Sequence, residues 1–153
     1  YNPHPLVEAD MFNPSREQVR SFFIDTWRKH RARELLTAME SIAADIISQH
    51  PEYHAIVEDP DSLDRDFSPE DGAINPFLHL SLHLAIEEQL SINQPPGIRA
   101  AFEAACAQRG ERHAALHDAL ECLGEMMFNA QRNGTPPDAL AYVGCLKRKA
   151  GIG

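Results

Sequence analysis

Asn75-Pro-Phe-Leu-His-Leu-Ser-Leu-His-Leu-Ala-Ile-Glu-Glu-Gln-Leu90 is the stretch on which the fold turns. Asn75 followed by Pro76 reads as a helix start: an amide side chain caps the first free N–H groups, and a proline fits the first turn, where its missing N–H is not needed. Phe77, Leu78, Leu80, Leu82, Leu84, Ala85, Ile86 and Leu90 then place apolar groups on nearly every side. A helix apolar all round is a buried one. Yet His79, His83 and Glu87 recur four apart along one stripe. Buried polar groups need partners, and buried charge needs a counter-charge or a metal.

The same spacing occurs twice more, at His50, His54 and Glu58 and at His113, His117 and Glu121. Six of the eight histidines therefore belong to three copies of one His-x3-His-x3-Glu pattern. The residue frequencies of this chain would give roughly 0.03 copies by chance, so the repetition carries information.

Outward from this motif, 153 residues suit a single domain with a real core. The net charge of -9 argues against binding along a nucleic-acid backbone. No apolar run is long enough to span a membrane. Cys106, Cys122 and Cys145 are odd in number and contain no Cys-x2-Cys pair, which predicts reduced, core-filling thiols in a cytoplasmic protein. No signal segment opens the chain. Residues 1–10 read as a cloning remnant or flexible extension ahead of Met11.

Turn and cap signals divide the remainder into helices. Asn13-Pro14 predicts a helix over about 14–32, and its basic end, Arg28 to Arg33, suits the helix dipole as a solvated terminus. Thr37-x-x-Glu40 is a capping-box signature for a helix to about Gln49, and Pro51 restarts the chain in a short helix. Residues 59–72 read as an acidic surface loop with a helical turn after Ser68. Helices over about 96–108 and 111–132 are separated by Gly110, Asn133-Gly134 closes the second, and Thr135-Pro136-Pro137 opens a last one. Arg99 reads as a loop anchor. No segment alternates like a strand, so the expectation is an all-α bundle of four main helices plus shorter ones.

Histidines at i and i+4 on a helix can point at a single ion, whereas a third member about 12 Å along the axis seldom shares it. The candidate metal ligands are thus His54, His79, His83, Glu87, His113, His117 and Glu121, holding one or two zinc or iron ions. His50 and Glu58 stand at helix ends, either joining the site or capping. On the long helix, Leu116, Ala119, Leu120, Leu123 and Met127 form an apolar stripe beside the histidines, and Gly124 predicts close approach of another helix. In architecture this looks like haemerythrin-type bundles, an analogy that fixes no function. No nucleotide-binding loop or catalytic signature appears, so no reaction follows. The competing reading is a metal-free structural or interaction protein, with a possible protein partner or homo-oligomer, whose histidines form a buried hydrogen-bond network. A third is a small-molecule binder with an apolar pocket.

Met11-Phe-Asn-Pro-Ser-Arg-Glu-Gln-Val-Arg20, His50-Pro-Glu-Tyr-His54, Asn75 to His83, Gln94-Pro-Pro-Gly-Ile-Arg99 and Glu121-Cys-Leu-Gly-Glu125 together resemble the domain-of-unknown-function family numbered 1841. The resemblance implies a small, cytoplasmic, helical proteobacterial protein. It brings no activity and no catalytic residues.

Overall fold

The computed structural model describes residues 15–65, 67 and 75–152. Helix α1, Arg16–Arg31, starts at a full capping box in which Ser15 and Gln18 satisfy each other's backbone N–H groups. Thr37 and Glu40 do the same for α2, Ala38–Ser48. The Glu40 carboxyl is held below its ordinary range, chiefly by the Thr37 N–H and then by Lys29. Pro51–Tyr53 forms a 3-10 turn, α3 is His54–Val57, and Pro60–Leu63 is a second 3-10 turn. Helix α4, Pro76–Ile92, is capped by the Asn75 side chain, which accepts from the N–H of Phe77 at 2.9 Å. Helices α5, Ile98–Arg109, and α6, Arg112–Asn133, follow, then α7, Ala139–Lys149, capped by Asp138.

The described residues hold seven α-helices and two 3-10 turns and no strand, so they are all-helical. Six of the helices run eleven residues or more, so the expected division into four main helices is coarser than the chain. The Asn13-Pro14 start and the turn after Ser68 lie outside the described residues. Gly110 and Gly134 end their helices at φ 80° and 65°, a left-handed conformation that glycine adopts without a Cβ clash.

Two compact units divide the chain, Tyr1–Ser81 and Leu82–Gly153, with the boundary inside α4. In the first, α2 packs on α1, and Phe23, Trp27, Ile46, Ile47, Val57 and Leu80 are buried. Arg20, only 2% exposed, donates to the carbonyls of Ser62, Leu63 and Arg65, with its guanidinium over the rings of Phe67 and Phe77. One buried cation thereby pins the acidic loop, its charge answered by carbonyl dipoles and ring faces. The basic end of α1 is paired as well: Arg28 with Glu34, Lys29 with Glu40, Arg31 with Glu58.

In the second unit α5, α6 and α7 pack on one another around Ile86, Ile98, Phe102, Leu116, Ala119, Leu123, Tyr142 and Leu146. The Tyr142 hydroxyl donates to Gln89 at 2.6 Å, tying α7 to α4, and burial pushes its phenol up. Arg99 donates to the carbonyls of Leu90 and Ser91, as a loop anchor should. Two expectations are overturned here. A Cβ on Gly124 would meet nothing within 4 Å, so that glycine admits no neighbouring helix. Cys122 and Cys145 are not separate thiols but a disulfide between α6 and α7, and only Cys106 stays free. Their Cα atoms are 5.8 Å apart, the usual bridging distance, and closing a loop of 23 residues is worth on the order of 3 kcal/mol.

Asp118 is 4% exposed and accepts both arms of Arg109, at 2.7 and 2.8 Å, fastening the end of α5 to α6. That fork holds the Asp118 carboxyl below its ordinary range. A depressed folded value means stabilisation that is complete above the unfolded value near 3.9 and lost as pH falls through the folded one. Asp118→Asn should therefore lower the thermal midpoint at pH 7 by roughly 3–6 °C, with the gap to the parent closing below about pH 4. A gap that stays constant in acid would show that the ion pair is not its source. Peptide mapping without reductant should recover Cys122 and Cys145 in one linked pair and Cys106 as a free thiol; any other pattern disproves the pairing.

Candidate metal centre

Pro51 decides what becomes of the first histidine triplet. Proline cannot continue the α2 hydrogen-bond ladder, so the chain leaves the helix at His50, at φ -125° and ψ 68°, and re-enters through a 3-10 turn. His50, His54 and Glu58 consequently do not share a helical stripe. The His54 ring lies against Trp27 at 4.6 Å, and its Nε2 donates to the Ile47 carbonyl at 2.9 Å. Glu58 accepts from the Trp27 indole at 3.0 Å. Both side chains are thus committed around Trp27, which His30 stacks from another side.

His50 behaves differently. It is 3% exposed, and its Nδ1 lies 2.7 Å from the Ile46 carbonyl. A carbonyl only accepts, so Nδ1 carries the proton and Nε2 keeps its lone pair. The ring stands edge-on to His79 at 5.0 Å and stacks on Tyr53 at 5.7 Å. Burial pushes the Tyr53 phenol up, so this neighbour is neutral across the physiological range.

The second and third triplets are truly helical, on α4 and α6. His83, 1% exposed, meets His117 edge-on at 5.2 Å, and the exposed His113 ring packs on His117 at 4.4 Å. His117 Nδ1 lies 3.0 Å from the His113 carbonyl, again four residues back, which fixes the same tautomer as in His50. Both glutamates are committed to cations. Glu87 is gripped by both arms of Arg112, at 2.8 and 2.9 Å, and Glu121 is exposed and faces Lys149 at 3.5 Å.

Each unit therefore holds one histidine pair, His50 with His79 in the first and His83 with His117 in the second. Of the seven residues expected as ligands, His79, His83 and His117 stand in these pairs, and His113 touches the rim of one. His54, Glu87 and Glu121 are engaged elsewhere. His50 was not among the seven. Its local sequence signals only a helix end before Pro51, because its neighbour His79 lies 29 positions away and leaves no local trace.

The donor set fits a metal ion in its chemistry. Metal-bound histidines characteristically donate the other ring N–H to a carbonyl or carboxylate, which fixes the tautomer and aims the free nitrogen. His50 and His117 both show that arrangement. No helix among the described residues is long and apolar enough to cross a membrane.

Comparison with curated proteins and with solved structures finds no match. A family model described as "Domain of unknown function (DUF1841)" matches residues 15–148, nearly the whole described chain and every histidine discussed above. The chain belongs to that family.

Proposed function

We propose that this protein binds one or two transition-metal ions through its histidine pairs, His50 with His79 in one unit and His83 with His117 in the other. The observation that carries the reading is that each pair stands ring to ring, at 5.0 and 5.2 Å, and that one ring of each donates its Nδ1 N–H to a carbonyl four residues back, which is how metal-bound imidazoles are held.

Imidazole donors whose nearby glutamates are committed to other groups argue against a carboxylate-bridged pair of ions. Imidazole suits zinc and iron, and zinc leads because it accepts nitrogen ligands readily. The edge-on ring contacts equally support a second reading, a metal-free aromatic and hydrogen-bonded cluster that joins parts of the fold. Placement in the cytoplasm, which the family resemblance implies, is weighed against by the Cys122–Cys145 bond, since a disulfide persists best where the milieu is oxidising.

Elemental analysis of untagged protein tests the proposal. It should give one or two equivalents of zinc or iron, falling below a tenth in His79→Ala/His117→Ala, which removes a member of each pair. Less than 0.1 equivalent in both, even after refolding with added ions, would establish the metal-free cluster. Chelator should lower the thermal midpoint of the native protein by roughly 5–15 °C and leave the double variant unmoved. Equal response of both proteins would place the chelator effect elsewhere.

A further inference from the structure

Glu87 follows His83 by one helical turn on α4, and helical side chains lean toward the N-terminus. A glutamate at that position covers the turn below it, where His83 stands. Its carboxylate does not turn to the histidines. Both oxygens are taken by the fork of Arg112, at 2.8 and 2.9 Å, and Arg112 is itself laid over the Phe102 ring at 5.3 Å. The guanidinium cannot lose its proton and matches a carboxylate with two parallel hydrogen bonds. Arg112 also begins α6, the helix that carries His117 five residues on.

We infer that Arg112 is a specificity-determining residue of the metal site: by holding Glu87 away, it keeps the ligand set all-imidazole and so selects zinc over harder ions such as manganese(II). This rests on the metal-binding reading above. Neutral nitrogen donors prefer zinc, copper and nickel, whereas a carboxylate oxygen raises the standing of manganese and magnesium and lowers the charge of the loaded site. Glu87 released from Arg112 becomes an added or replacement ligand. Arg112 acts through Glu87 as a positioning residue.

The test uses the full chain and three probes: zinc(II), manganese(II), and cobalt(II) as a spectroscopic stand-in for zinc. The parent should bind cobalt with the intense visible absorption of a four-coordinate site. In Arg112→Ala that absorption should weaken as oxygen joins, and the zinc-to-manganese affinity ratio should fall at least about tenfold. Glu87→Gln alone should leave spectrum and ratio unchanged, and Arg112→Ala/Glu87→Gln should return both to the parent values. A purely structural ion pair would give the opposite pattern, with Glu87→Gln and Arg112→Ala equally harmful and no recovery in the double variant. Should Arg112→Ala fail to fold, Arg112→Lys, which keeps the charge but not the fork, should shift the ratio in the same direction. No shift in either variant overturns the inference. Cobalt binding by neither parent nor variants overturns the metal reading itself, and the two failures are thus separable.

Discussion

An imidazole in an apolar setting has two nitrogens of opposite need, one carrying a proton and one a lone pair, and a single neighbour satisfies only one of them. Most of what is distinctive in this chain follows from that constraint. At His50 and at His117 the backbone carbonyl four residues back takes the N–H, which commits the opposite nitrogen to accept, or to bind an ion. On α4, where leucine, isoleucine and phenylalanine make up eight of seventeen residues, His79 and His83 meet rings outside their own helix, those of His50 and His117 respectively. Histidine is answered by histidine, without the carboxylates that would fix a charge at the site.

The carboxylates are present but spoken for. Glu58, Glu87 and Glu121 each complete the repeated sequence pattern, and each faces a cation or an indole N–H. Each is placed by residues on another helix of its own unit: Glu58 by Trp27 and Arg31, Glu87 by Arg112 and Glu121 by Lys149. The forked contact recurs in Arg109 with Asp118, and Arg20 turns one guanidinium nitrogen to a row of carbonyls. Arginine, more than lysine, is the fastening in this protein. Its planar donors fix a direction as well as a charge.

Features written in neighbouring residues were legible from the sequence. The Asn75 cap, the Thr37–Glu40 box, the left-handed glycines at 110 and 134 and the anchoring role of Arg99 each depend on groups a few positions apart. The repeated histidine spacing singles out His79, His83 and His117, which stand in the two histidine pairs. His54 does not share a helical stripe with His50, because Pro51 breaks the helix on which the spacing would act. Arg112 lies 25 positions from Glu87, and no local pattern announces that pairing. Likewise Cys122 and Cys145 look like isolated thiols until α6 and α7 lie side by side. Periodicity reports which face of a helix a residue occupies, not what the opposite face brings.

The bond between those two cysteines changes the covalent topology of the chain as well as its stability. Residues 122 to 145 become a closed ring that contains the Asn133–Asp138 connection between the last two helices. A cut in that connection would nick the ring without releasing a fragment, so the final helix would remain tethered to its neighbour. Exchange of that helix with a second copy of the chain is barred for the same reason, because a ring cannot trade one of its sides while it stays closed.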